Sequence, residues 1–215
     1  MAKRVILTTT NDKALKYNNI ILHMIEEEEM KIYLSVDRVD SDEPKGYIEY
    51  PEEYLNSCAS SGLPAHELKL KVNTPVMLLR NINPAAGLCN GTRLLIKKMG
   101  KNILECEILT GERAGETTWI HKYTLTSEKG KFPFTLYRKQ FPIKVCYAMT
   151  INKSQGQTID YVGLDLEDDV FSHGMAYVGF SRVKTWDNIR VAVNKARGNR
   201  IKNEVWKEVL LSEND

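Results

Sequence analysis

Ala148-Met-Thr-Ile-Asn-Lys-Ser-Gln-Gly-Gln-Thr158 follows the apolar run that begins at Lys144 and leads into a second one, Tyr161-Val-Gly-Leu-Asp-Leu166. Short apolar runs bounded by polar turns read as buried strands. Lys144 to Ala148 and Tyr161 to Leu166 are therefore predicted strands, joined by a turn over Ser154 to Thr158. Ser172 to Gly179 reads as the start of a helix. Asn188-Ile-Arg-Val-Ala-Val193 is a third strand. Strands alternating with helical stretches predict a parallel sheet in an α/β layer.

The N-terminal end repeats this texture. Arg4-Val-Ile-Leu-Thr-Thr-Thr10 is β-prone. Asn11 or Asp12 is placed to cap a following helix with Leu15, Leu22 and Ile25 on its apolar face and Ile21 alongside. Glu26 to Glu29 crowd its C-terminal end, where the helix dipole disfavours negative charge, so the helix should stop there with the glutamates in water. Lys31 to Val36 alternates like a strand. From 37 to 66 the breakers Pro44, Gly46, Pro51, Gly62 and Pro64 predict loops around one short helix near Glu52 to Asn56.

From 68 to 136 short β runs recur: Pro75 to Leu79, Arg93 to Ile96, Ile103 to Ile108 and Thr117 to Ile120. Asn83-Pro84, Asn90-Gly91, Gly100 and Gly111 separate them, as in a small antiparallel barrel. Ile201, Val205 and Val209, spaced by four, predict a closing amphipathic helix. The chain is thus expected to be α/β: one parallel-sheet domain, 1–67 with 137–215, interrupted by a β-barrel at 68–136.

Composition narrows the function classes. Thirty Lys and Arg against 28 Asp and Glu give a net charge of +2, so any polyanion surface must come from local placement of cations. No stretch of about 18 apolar residues offers a membrane span, and no signal-peptide apolar region opens the sequence. Cys58, Cys89, Cys106 and Cys146 form no Cys-x-x-Cys pair. They read as free thiols in a reducing compartment, the cytosol or the nucleus. His23, His66, His121 and His173 show no ligand spacing. A structural hydrogen bond from His173 near Ser181 and Arg182 is expected.

The chemistry-bearing residues surround the opening motif. Thr150, Asn152 and Ser154 can donate to phosphate oxygens, and Lys153 adds a positive charge. Gly156 allows close backbone approach. The same residues also suit a strand-to-helix turn with no ligand. Tyr177-Val-Gly-Phe-Ser-Arg182 presents an arginine after a helical segment, suited either to a phosphate across a domain interface or to a surface salt bridge. Asp165, Glu167, Asp168 and Asp169 could hold Mg²⁺ but read more simply as a solvated acidic loop. Phosphate-handling groups imply a P-loop, Gly-x-x-x-x-Gly-Lys-Ser/Thr. Gly100-Lys101 is followed by Asn102 and Gly130-Lys131 by Phe132, so neither pair supplies one.

Five ordered blocks carry a family resemblance. They are Arg4 to Asn11, Leu70 to Asn81, Gly87-Leu-Cys-Asn-Gly-Thr-Arg93, Phe141 to Thr158 and Phe171-Ser-His-Gly-Met-Ala-Tyr-Val-Gly-Phe-Ser-Arg-Val183. Together the chain resembles the C-terminal half of the petite-integration-frequency DNA helicases, especially the version carried by Helitron transposons. The resemblance implies a second RecA-like domain with an inserted SH3-like barrel and a 5′-to-3′ ATP-dependent DNA helicase activity. It also implies roles in DNA repair, recombination and telomere maintenance, and nuclear localisation. It makes Arg182 the finger contacting ATP, and Gly156, Gln157 and Arg4 the nucleotide-cleft residues. Thr150, Asn152, Lys153, Ser154, Thr8 and Asn11 become contacts to single-stranded DNA. ATP and Mg²⁺ would be held mainly by a missing N-terminal P-loop domain, and this chain alone would be inactive. Asn152 stands where relatives often carry His, and Gly179-Phe180 where Ala-Leu is common. The other class consistent with the motifs is a non-enzymatic single-strand-binding module or transposon relic.

Overall fold

The computed structural model describes residues 3–26, 29–40, 50–60, 62–198, 200–201 and 203–206. In chain order the first elements are β1 (Arg4–Thr8), α1 (Asn11–Met24), β2 (Lys31–Leu34), β3 (Val36–Asp40), α2 (Glu52–Ser57), β4 (Glu67–Leu70), β5 (Pro75–Leu78) and β6 (Arg93–Met99). There follow β7 (Ile103–Ile108), β8 (Thr117–His121), β9 (Tyr123–Thr126), β10 (Thr135–Gln140) and β11 (Ile143–Val145). The last are β12 (Ala148–Thr150), β13 (Tyr161–Leu166), α3 (Met175–Phe180) and β14 (Ile189–Val193). Two compact units form, one from 1–24 with 146–215 and the other from 25–145. Residues 25–67, expected with the first sheet, belong to the second unit.

The first unit is built on a four-stranded sheet in the order β12-β1-β13-β14, parallel throughout. β12, β1 and β13 are mainly apolar and largely buried, as strands covered on both faces are, while the edge strand β14 is mostly exposed. Val5, Leu7, Met149, Val162, Leu164 and Leu166 are all buried. Thr8 pairs with Thr150 at the carboxyl ends of their strands, and Arg4 pairs with Tyr161 at the amino ends.

Helix α1 starts differently from expectation. The Thr10 hydroxyl accepts from the Lys13 N–H at 3.4 Å, so Thr10 rather than Asn11 or Asp12 caps it. Its buried face is Ala14, Asn18 and Leu22, spaced by four, while Leu15 is 61% exposed. The polar Asn18 is buried because its amide brackets an edge strand. Its Nδ2 donates to the Ala148 carbonyl at 2.9 Å and its Oδ1 accepts from the Ala148 N–H at 2.8 Å. The predicted strand Lys144 to Ala148 is in fact split. β11 pairs antiparallel with β5 in one unit, and β12 pairs parallel with β1 in the other. The expected closing helix is absent at 203–206; Val209, like Glu27, Glu28, Pro44 and Gly46, lies outside the described residues.

The second unit is antiparallel. Its sheets run β11-β5-β6-β7-β8, β3-β10-β9 and β2-β4. No closed barrel forms among the described residues. β4 pairs with β2, and β5 with β11, so strands inside 68–136 pair with strands outside it. Tyr33, Leu68 and Leu70 join Val76, Leu94, Ile96, Leu104, Ile120 and Phe141 in one apolar core. A smaller cluster of Leu55, Cys58 and Leu136 packs beside Arg138. The Arg138 guanidinium donates to Asp37 at 2.7 Å and to the carbonyls of Leu55, Asn56 and Pro64. A buried ion pair persists where every donor finds an acceptor.

Candidate functional site

Open parallel sheets bind ligands outside the carboxyl ends of their strands, because loops and helix starts gather there. In the first unit three segments leave that edge: Thr8 to Asn11 after β1, Thr150 to Lys153 after β12, and Asp165 to Asp168 at the end of β13. Each is set by local chemistry. The Ile151–Ser154 stretch is a turn of 3₁₀ helix. Ile151 and Ser154 point inward and are fully buried, which turns Asn152 and Lys153 out to solvent. Thr150, at the strand end, is half-buried.

Two residues expected at the DNA face are oriented otherwise. Thr8 is fully buried and its hydroxyl donates to the Thr10 carbonyl at 2.9 Å. Ser154 is fully buried and its hydroxyl donates to the Ile151 carbonyl at 2.6 Å. Both hydroxyls are spent shaping their turns, leaving Thr150, Asn152, Lys153 and Asn11 as the open donors of this edge.

Arg182 organises the other half of the site. It follows α3, whose C-terminal turn it closes by donating Nε–H to the Val178 carbonyl at 2.8 Å. One terminal nitrogen donates to the carbonyls of Ser154 and Gln157, at 3.3 and 3.1 Å, and the other to Ser181 Oγ at 2.8 Å. Among the described residues no carboxylate pairs with it. The guanidinium is therefore a cation held on neutral carbonyls, wedged between α3 and the turn that carries Gly156. Gly156 adopts φ 78°, a left-handed conformation natural to glycine, and is exposed. Gln157 donates Nε2–H to the Lys153 carbonyl at 3.2 Å. Arg182, Gly156, Gln157 and the Lys153 backbone thus form one connected group. Arg4 is not part of it: its guanidinium lies over the Tyr161 ring, 5.4 Å from the centroid, at the amino end of β1.

Gly179 explains how α3 reaches the turn. A Cβ there would stand 3.0 Å from Leu164 Cδ1 and 3.7 Å from Ile151 Cδ1. The missing side chain lets the helix lie directly on β13 and on Ile151. His173 meets neither Ser181 nor Arg182. Its Nδ1 accepts from the Trp206 N–H at 3.0 Å, and the two rings stack.

The acidic segment carries an internal cation. Asp165 Oδ2 accepts from the Tyr17 hydroxyl at 2.9 Å, and Lys13 Nζ lies 3.3 Å from Asp165 and 2.8 Å from Asp168. Burial pulls the Lys13 ammonium down, but the Asp168 and Asp165 carboxylates outweigh it and hold it above its ordinary value. The hydrogen bond to Asp165, with burial second, pushes the Tyr17 phenol up. Neither solvated acids nor an Mg²⁺ site describes Asp165. Among the described residues no cluster of His, Cys, Asp and Glu has the geometry to hold a metal. Sequence reasoning missed Asn18, Lys13 and Tyr17; the i, i+4 spacing of Asn18 between Ala14 and Leu22 was the available signal.

The parallel sheet with polar loops at its carboxyl edge places this unit among the open α/β domains. Comparison with known proteins narrows the class. A family model described as "DNA helicase Pif1, 2B domain" matches residues 53–99. The human ATP-dependent DNA helicase PIF1 is 34% identical over 127 residues, 58% of this chain and 19% of the relative. Pif1 of Bdellovibrio bacteriovorus is 29% identical over 134 residues, 62% of this chain and 29% of the relative. A solved Pif1 structure describing unwinding at forked double-stranded DNA is 26% identical, with a TM-score of 0.62, and covers 89% of this chain and 39% of that one. Candida albicans Pif1, at 23% identity and a TM-score of 0.64 over 88% of this chain and 45% of that one, bears on the fold alone. Over these stretches the chain is similar to Pif1-type DNA helicases. It spans well under half the length of the relatives it matches.

Proposed function

We propose that this chain is the C-terminal motor half of an ATP-dependent DNA helicase of 5′-to-3′ polarity, working with a P-loop domain that holds ATP and Mg²⁺. The observation that carries the reading is the Arg182 guanidinium, a cation without a carboxylate, held by α3 against the Gly156 turn. A γ-phosphate presented across a domain interface is a better acceptor than the carbonyls of Ser154 and Gln157, because ionised acceptors make hydrogen bonds about twice as strong as neutral ones. Transfer of Arg182 to the phosphate frees the turn. That turn continues from Thr150, Asn152 and Lys153, which would carry single-stranded DNA backbone. Nucleotide state and grip on DNA would be coupled through some five residues of chain. The resemblance to SH3-like inserts applies to the five-stranded sheet of the second unit as an open relative of that barrel, and the proposed compartment is the nucleus.

The reading is supported by relatives named as ATP-dependent DNA helicases. Its test is the 5′ sequence of the native transcript, followed by expression of the encoded protein. An in-frame Gly-x-x-x-x-Gly-Lys-Ser/Thr and ATP hydrolysis stimulated by single-stranded DNA are expected. A stop codon ahead of Met1, with no P-loop protein binding the chain in trans, would leave a binding module and overturn the motor reading.

A further inference from the structure

The three-stranded sheet β3-β10-β9 turns Leu125, Leu136, Arg138 and Gln140 inward, and among the described residues its other face is uncovered. On that open face β10 presents Thr135, Tyr137 and Lys139. The register sets Arg38 and Thr126 on either side of Tyr137, and Val36 and Thr124 on either side of Lys139. Arg38, Lys139, Thr124 and Thr126 are exposed, and Tyr137 is partly so. Two further cations close on the Lys139 end. Arg80 is exposed and donates to the Thr124 carbonyl at 3.4 Å. Lys122 donates to the Leu34 carbonyl at 3.2 Å and lies over the Tyr33 and Phe141 rings.

None of these four cations forms an ion pair among the described residues, although Lys13, Lys69, Lys97, Lys98, Arg113 and Arg138 all do. Burial, and then the charge of Lys139, hold the Lys122 ammonium below its ordinary value, which marks mutual repulsion within the group. Arg38 and Lys139 on the open face, with Arg80 and Lys122 beside its Lys139 end, make a local excess of cations in a chain whose net charge is only +2, and such a patch attracts a polyanion. Tyr137 has Arg38 beside it on β3 and Lys139 next to it along the same face of β10, the make-up of a stacking platform: an aromatic ring for a base, with two neighbouring cations for its phosphates.

We infer that the open face of β3-β10-β9 binds single-stranded nucleic acid, with phosphates on Arg38, Lys139, Lys122 and Arg80 and a base on Tyr137. The choice of nucleic acid as the polyanion rests on the proposed function; the site itself does not use Thr150, Asn152 or Lys153. The test is fluorescence anisotropy of a labelled oligothymidylate of about 20 nucleotides on the full 215-residue chain, titrated across salt. Arg38→Ala and Lys139→Ala, both at exposed positions, should each weaken binding roughly threefold and lower the salt slope by about 0.7. Tyr137→Leu should weaken single-strand binding about fivefold or more while leaving duplex binding unchanged. A photo-crosslinkable thiothymidine oligomer should attach to Tyr137 in the unsubstituted chain. Unchanged affinity and slope in Arg38→Ala and Lys139→Ala, with Lys153→Ala still weakening binding, would overturn this site and leave the proposed function standing. No binding by the unsubstituted chain at low salt would overturn both. Equal loss of single-strand and duplex binding in Tyr137→Leu, without the crosslink, would overturn the single-strand assignment.

Discussion

Arg138 and Arg182 both donate to backbone carbonyls, yet they do different work. Arg138 sits 1% exposed in the antiparallel unit with its counterion, Asp37, at 2.7 Å. Its charge is neutralised within the fold, and its remaining donors bind the carbonyls of Leu55, Asn56 and Pro64. Arg182, in the parallel unit, is partly exposed and holds the Ser154, Gln157 and Val178 carbonyls without a carboxylate. An arginine that brings its counterion into the fold is structural. One that carries its charge to a surface turn on neutral acceptors remains able to exchange them for an anion.

The contrast is broken most severely at Arg138. Arg138→Met strands Asp37 in the interior and should cost about 3–5 kcal/mol, seen as a lowered urea midpoint for the second unit. Arg182→Ala loses hydrogen bonds at a partly exposed site and should cost only about 1 kcal/mol. Equal losses in the two variants would erase the distinction.

A sharper probe is Gly179→Ala. Helix propensity favours alanine by about 1 kcal/mol, but its Cβ would crowd Leu164 at 3.0 Å, and overpacking costs about 1–3 kcal/mol. A net destabilisation near 1 kcal/mol is expected in thermal unfolding. A stabilised variant would show that α3 does not need to lie so close to Ile151, and with it the linkage from Arg182 to the turn would weaken.

The smallest effect is on pH dependence. Lys13 and Tyr17 both have raised folded values, so the stability they contribute is complete below their ordinary values and is lost as pH rises through the raised ones. The first unit should therefore hold its stability up to about pH 10 and lose it above. Lys13→Met should remove the lysine share of that alkaline loss. Stability that rises through the same range would contradict the Lys13–Asp165–Tyr17 network.

Where apolar alternation was intact the fold could be read. Tyr161 to Leu166 and Ile103 to Ile108 are strands with the expected bounds, and the helix near Glu52 is present. β10 was not legible because its inward face carries Arg138 and Gln140, polar groups whose burial depends on Asp37 and on the Tyr33 and His66 carbonyls far away in sequence. A periodicity argument sees two polar residues on the wrong side and places no strand there. β3 was hidden for the same reason, since its buried member is Asp37. A closed barrel at 68–136 is not seen among the described residues, because strand partners are chosen by tertiary packing, which a run of turn signals does not encode. In the candidate site, residue types were legible and orientations were not. Thr8 and Ser154 have the right chemistry for phosphate, but each sits where local geometry turns its hydroxyl back onto a carbonyl two or three residues away. The role of Arg182 in holding the Gly156 turn required the carbonyl directions of Ser154 and Gln157.

The most direct measurement is steady-state ATP hydrolysis by the complete P-loop-containing protein with and without Arg182→Ala, alongside its single-strand affinity. The account predicts a fall in turnover of about 10³-fold or more, with binding of single-stranded DNA largely retained. Equal turnover in the variant and its parent would contradict it.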